Sequence, residues 1–286
     1  MVPAMFIFGD SLIDNGNNNN LPSFAKANYY PYGIDFDGGP TGRFSNGYTM
    51  VDEIEATGEA VMHGLNYASA AAGILDITNF ESTLDQITDN LGADAVSQSI
   101  AKCIFFIGMG SNDYLNNYMM PNYNTRNQYT PTQYANLLVQ EFTRQLTVTL
   151  SLCVLAQAPN GRCSDDVDNL VVPFNYNVRS MVDGLNANLP GSKFIHIDIY
   201  HMFKDILNNP RLYGFSVADR GCCGIGRNHG QITCLPFQTP CPNRDRYVFW
   251  DAFHPTAKVN VIMARWAFDG DASVVYPMNI KQLASL

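Results

Sequence analysis

The chain carries little charge. Asp, Glu, Lys and Arg make up 15% of its 286 residues, where a soluble protein has roughly a quarter. Basic residues are the scarcer sign, 17 against 26 acidic, for a net charge of −9. Such a surface repels phosphate backbones, which excludes a nucleic-acid role, and it gains nothing from an anionic membrane. Long apolar runs are missing too. None approaches the roughly 20 residues that span a bilayer, so no transmembrane segment is expected. The first residues do not read as a leader, because Met-Val-Pro-Ala runs directly into the apolar MFIF without a basic region or a cleavage site. Either the protein is intracellular or the sequence begins after its signal peptide. Tandem repeats, charge blocks and Gly/Ser linkers are absent as well. Residues 1–286 therefore read as one domain.

Several binding signatures are incomplete. The GMG at 108–110 lacks the third glycine and the distant acidic residue of a dinucleotide site. No CxxC occurs among the seven cysteines, and the adjacent pair Cys222 and Cys223 suits a single tetrahedral zinc poorly. Cys103, in AKCIFFIG, reads as a small core hydrophobe. The other six are Cys153, Cys163, Cys222, Cys223, Cys234 and Cys241. They form an even set in loop-like sequence, so disulfides and an oxidising compartment are expected. That favours a secreted protein over an intracellular one.

What is present alternates between short apolar runs and helical patterns, the signature of an α/β domain with a parallel sheet. Residues 4–8 (AMFIF), 64–69 (GLNYAS) and 103–110 (CIFFIGMG) are expected strands, the third apolar throughout and so buried on both faces. The Asn-rich stretch after Asp14 and residues 31–47 are expected loops. Helices are predicted from 47–55, over 131–146, and over 167–191 up to a Pro-Gly stop. SKFIHIDIY (192–200) alternates as a strand, with Ile195, Ile197 and Ile199 on one face and His196 a satisfied structural residue. A last helix enters at 254–268, with Thr256 as N-cap and Pro255 holding His254 extended.

Three segments place a reactive group where an apolar strand gives way to a loop, the edge at which open α/β sheets bind ligands. In FIFGDSL, Ser11 follows a strand that Gly9 lets turn sharply. It is either a nucleophile or an N-cap. In IGMGSND, Asn112 offers a side-chain amide to an oxyanion or bonds its own turn. In WDAFHPT, Asp251 stands close enough to orient and charge-stabilise His254. Of the five histidines, at 63, 196, 201, 229 and 254, only His254 has such a carboxylate together with a neighbouring Pro that fixes its backbone.

Taken in order, FIFGDSLIDNGNNN, GLNYASAAAGIL, FFIGMGSNDY and FWDAFHPT resemble the four signature blocks of the plant GDSL (SGNH-type) esterases and lipases. PYGIDFDGGPTGRFSNGYTMVDEI and RGCCGIGRNHGQITCLPFQTPCPN resemble that family as well. The resemblance implies a flavodoxin-like three-layer α/β/α sandwich around a mostly parallel sheet. It also implies a Ser11, His254 and Asp251 triad cleaving small-molecule or lipid esters through an acyl-enzyme, without metal or organic cofactor. Oxyanion donors would be the Ser11 N–H, an N–H in the GLNYASAAAGIL turn and the Asn112 side chain. Gly73 is the glycine that remains in that turn, although Ala71 could hold the equivalent place. Members are usually secreted and disulfide-bonded.

Against the family pattern, sequence is missing after VDEIEATGEA, between GILDIT and NFESTLDQI, and after FTRQLTVTL. At the last gap an internal strand is lost, unless LTVTLSLCVL (146–155) replaces it. An impaired or silent relative is therefore one alternative to an active esterase. An acyltransferase or polysaccharide deacetylase working through the same site is another.

Overall fold

The structure is a computed structural model that describes residues 4–57, 65–75, 103–145, 165–189 and 191–286. The expected strand at 146–155, with Cys153 and Cys163, lies outside the described residues, as do the junctions near 60 and 78.

Three strands form a parallel sheet in the order β2-β1-β3: β1 is Met5–Gly9, β2 Leu65–Asn66 and β3 Ile104–Gly108. Alternation along β1 builds two cores, one on each face. Met5 and Ile7, with Ile104 and Phe106 of β3, face helix α1 (Met50–Thr57) on one side. Phe6, Phe8 and Ile107 pack on the other side against α2 (Pro131–Gln145) and α3 (Asp165–Asn188). Each fully buried side chain of this kind contributes roughly 1.5–3 kcal/mol. The layers are those of an α/β/α sandwich.

β3 is not buried on both faces as its apolarity suggested. Phe105 stays 46% exposed, lying against Phe6 of β1 with ring centroids 5.5 Å apart. Cys103, just before β3, is half-buried against the same cluster.

The predicted strand 192–200 is mostly something else. Only His196–Ile197 (β4) is extended, and helix α4 runs from Ile199 to Asn208. Asp198 causes the switch, because its carboxylate caps the helix by accepting the His201 N–H. Tyr200, Met202, Phe203 and Ile206 then form its buried stripe. His196 is buried, yet among the described residues its Nε2 has no hydrogen-bond partner, so it is not the satisfied residue expected.

Two further strands, β5 (Val217–Gly221) and β6 (Tyr247–Phe249), pair in parallel. Helix α5 follows at Ala257–Asp269, and β7 (Val275–Tyr276) returns antiparallel to β4. Thr256 is the N-cap of α5 by position, but its hydroxyl donates to the Tyr247 carbonyl and makes no cap bond. α3 ends at Asn188, just before the expected stop. No described helix is long and apolar enough to cross a membrane.

A third cluster lies under the end of β6, where Tyr32, Phe44 and Trp250 pack with Cys222, Cys223 and Cys234. Four of the loop cysteines pair there as Cys222–Cys241 and Cys223–Cys234. Backbone bonds from Cys222 to Phe249 and from Cys223 to Trp250 tie this cross-linked loop to β6.

Candidate active site

The chain leaves β1 through Gly9, where any Cβ would lie 2.8 Å from the Gly108 carbonyl oxygen of the neighbouring strand. Only glycine allows that approach. Asp10 then organises the turn: its carbonyl accepts from Ile13 and Asp14, and its carboxylate accepts the Leu12 N–H at 2.9 Å. Residues 11–13 form a turn and not a helix, so the capping role considered for Ser11 has no helix to serve. The Ser11 hydroxyl instead lies 2.9 Å from His254 Nε2.

His254 sits in a tight loop after β6, closed by the Trp250 N–H donating to the His254 carbonyl at 2.9 Å. Asp251 is fully buried at its centre. Its Oδ1 accepts the N–H groups of Phe253 and His254 at 2.9 Å each and lies 2.8 Å from His254 Nδ1. Its Oδ2 accepts the Tyr32 hydroxyl at 2.6 Å. Burial pushes the Asp251 carboxyl pKa up, but the His254 charge, the His254 and Tyr32 hydrogen bonds and the Phe253 N–H outweigh it, and the net shift is downward. The acid is therefore held ionised beside the imidazole. Phe44 covers the imidazole with ring centroids 5.0 Å apart.

Two loops beside Ser11 supply polar hydrogens. Gly110 turns the chain after β3 with φ 112°, and a short helical segment, Ser111–Asp113, follows. The Asn112 amide is fixed in orientation: its Oδ1 accepts from Asn116 and its Nδ2 donates to the Ala72 carbonyl, both at 2.7 Å. The turn after β2 is clamped at both ends. The Ala70 N–H donates to Asp14 at 2.9 Å and to Asn18 at 3.1 Å. The Ile74 and Leu75 N–H groups donate to the Asp113 carboxylate at 2.7 and 3.0 Å. Between the clamps Ala71 adopts φ 72°, a left-handed conformation that costs an alanine about 1–2 kcal/mol. Ala71 is exposed and Gly73 buried. Among the described residues, the N–H groups of Ser11, Ala71 and Gly73 find no acceptor.

Buried carboxylates surround this edge. Burial raises Asp113 to about 7, against the lowering pull of the Ile74 and Leu75 N–H groups. Burial likewise raises Asp10, whose carboxylate accepts the Ser111 hydroxyl, and Asp14.

The structure brings Ser11, His254 and Asp251 into one hydrogen-bonded line and sets Asn112 on the loop after β3, the strand beside β1. Sequence reasoning missed Tyr32, Asp14, Asn18 and Asp113. The asparagine run was the available signal. Asn17 and Asn18 reach across to the carbonyls of Ala68 and Ala70 at 2.7 and 3.0 Å, so the stretch cross-links two loops.

The same segments carry the likeness to known proteins. The model of GDSL-like lipases and acylhydrolases matches residues 5–267. The chain belongs to this family. GDSL esterase/lipase At1g71691 of Arabidopsis thaliana is 58% identical over 332 residues, covering 100% of this chain and 86% of its own. GDSL esterase/lipases At1g71250 and At1g29670 of the same plant are 45% and 46% identical over 335 residues, covering all of this chain and 90% and 92% of theirs. All three alignments run longer than the 286 residues of this GDSL family member. The relatives therefore carry segments without a counterpart here, as the gaps in the signature pattern implied.

Proposed function

We propose that the protein is a secreted serine ester hydrolase in which Ser11 attacks the ester carbonyl. The observation that carries this reading is the line from Asp251 through the His254 ring to the Ser11 hydroxyl, with spacings of 2.8 and 2.9 Å. His254 takes the Ser11 proton as the hydroxyl attacks, and Asp251 stabilises the imidazolium that forms. The tetrahedral oxyanion is held by the Ser11 N–H, the Asn112 amide and an N–H of the turn at Ala71 or Gly73. His254 then protonates the leaving alcohol, and water repeats the cycle on the acyl-enzyme. An alcohol in place of that water makes the same site an acyltransferase. Secretion is supported by the two disulfides of the 222–241 loop.

The test is hydrolysis of short-chain aryl esters by protein made in an oxidising host, compared with Ser11→Ala. Loss of turnover in the variant is expected; equal rates would reject the reading. Labelling of the wild type by a fluorophosphonate separates an active enzyme from a silent relative.

A further inference from the structure

We infer that Tyr32 is a positioning residue of the triad, its hydroxyl fixing the second carboxylate oxygen of Asp251 and setting how strongly that carboxylate holds a proton on His254. The inference rests on the triad reading above and extends it to a residue from a different loop.

Tyr32 belongs to the Tyr-rich loop that lies 219 residues before Asp251 in the chain. It is 1% exposed, and three rings lock its side chain: Tyr29, Phe44 and Trp250 stand edge-on at 5.4, 5.9 and 6.1 Å. A phenylalanine would fill that space as well. What the hydroxyl adds is the 2.6 Å bond to Asp251 Oδ2, a short charge-assisted contact, and a hydrogen bond with the Thr233 side chain. Oδ1 already accepts two backbone N–H groups and faces the imidazole, so Tyr32 completes the carboxylate. Burial first, and the Asp251 charge second, hold the Tyr32 phenol well above its ordinary range, so it remains a donor throughout the working pH.

The consequence for the base has a definite sign. Negative charge that Asp251 shares with Tyr32 is withheld from the imidazolium. Removing the hydroxyl concentrates that charge on the Nδ1–H bond and favours protonated His254. The other titratable groups facing the pair are Tyr29, from the same loop, and Asp10, on the turn after β1.

The experiment uses the full chain with its disulfides intact. The His254 ring is titrated by NMR of isotope-labelled histidine, and the pH profile of kcat/KM is recorded on an aryl ester. Tyr32→Phe is expected to move both the ring titration and the acid limb upward by about 0.5–1 pH unit. Fluorotyrosine placed at position 32 keeps ring and hydroxyl but donates more strongly, so it is expected to move both downward; it also serves if the phenylalanine variant does not fold. A ring titration unmoved by either change overturns the inference, whatever happens to the rate or the Tm. If Ser11→Ala hydrolyses as fast as wild type, the hydrolase reading fails, while the ring titration still decides the role of Tyr32.

Discussion

Ser11 Oγ and His254 Nε2 stand 2.9 Å apart although 243 residues separate them in the chain. No local turn makes that contact. It depends on β1 and β6 presenting their following loops to one another, so the contact reports on the assembled fold.

Asp251 should matter through orientation and charge. Asp251→Asn keeps the shape but puts an amide where the carboxylate accepted from Nδ1, Tyr32 and two backbone N–H groups. A fall in kcat of about 10³–10⁴-fold is expected from the wrong imidazole tautomer. Steady-state kinetics on a butyrate aryl ester will show it; a loss below tenfold would remove Asp251 from the triad.

Asn112 should act on the transition state. Asn112→Ala is expected to lower kcat about 10²–10³-fold while KM changes little. Because Asn112 also donates to the Ala72 carbonyl, melting curves must accompany the kinetics. A variant that melts like wild type and keeps its kcat would show that the amide does not face the oxyanion.

Asp113 should leave a mark on stability. Its folded pKa, about 7, lies above the ordinary carboxylate value, so between these limits the folded state binds a proton that the unfolded state does not. Asp113 therefore makes unfolding free energy fall as pH rises from about 4 to 7, by up to about 1.4 kcal/mol per unit, with no further change above. Asp251, shifted downward, contributes with the opposite sign, so the readout is a difference. In urea melts across this window, the unfolding free energy of wild type minus that of Asp113→Asn should fall as pH rises. Parallel curves would show that Asp113 does not titrate there.

The disulfides should support the catalytic loop. Reducing Cys222–Cys241 and Cys223–Cys234, which brace the backbone next to Asp251, is expected to cost about 2–4 kcal/mol of stability per bridge. Calorimetry and esterase assays with and without a thiol reductant check this. Unchanged Tm and rate would make the bridges incidental.

The elements that begin at a strong local signal were legible in the sequence. β1 and β3 are apolar and end at glycine, and α2 carries helical periodicity, so each appears within a residue or two of its expected place. The 192–200 segment was not, because alternation of Ile195, Ile197 and Ile199 imitates a strand while the cap at Asp198 decides the structure. The line of Ser11, His254 and Asp251 was legible through short motifs whose spacing is chemical. Its supports were not, since Tyr32, Asn18 and Asp113 act on partners 219, 52 and 39 residues away. Burial and long-range bonding of that kind leave no periodic trace.

The order β2-β1-β3 puts the strand that leads into Ser11 between the two that lead into the Ala71–Gly73 turn and Asn112. The sheet thereby serves as a ruler: a slip of one residue in either neighbour would displace its loop by about 3.3 Å, more than a hydrogen bond tolerates. Accuracy at the reacting carbonyl is inherited from the ladder. The outer loops are thus at liberty to diversify in length and composition, and new acyl groups can be accommodated without retuning the chemistry beneath.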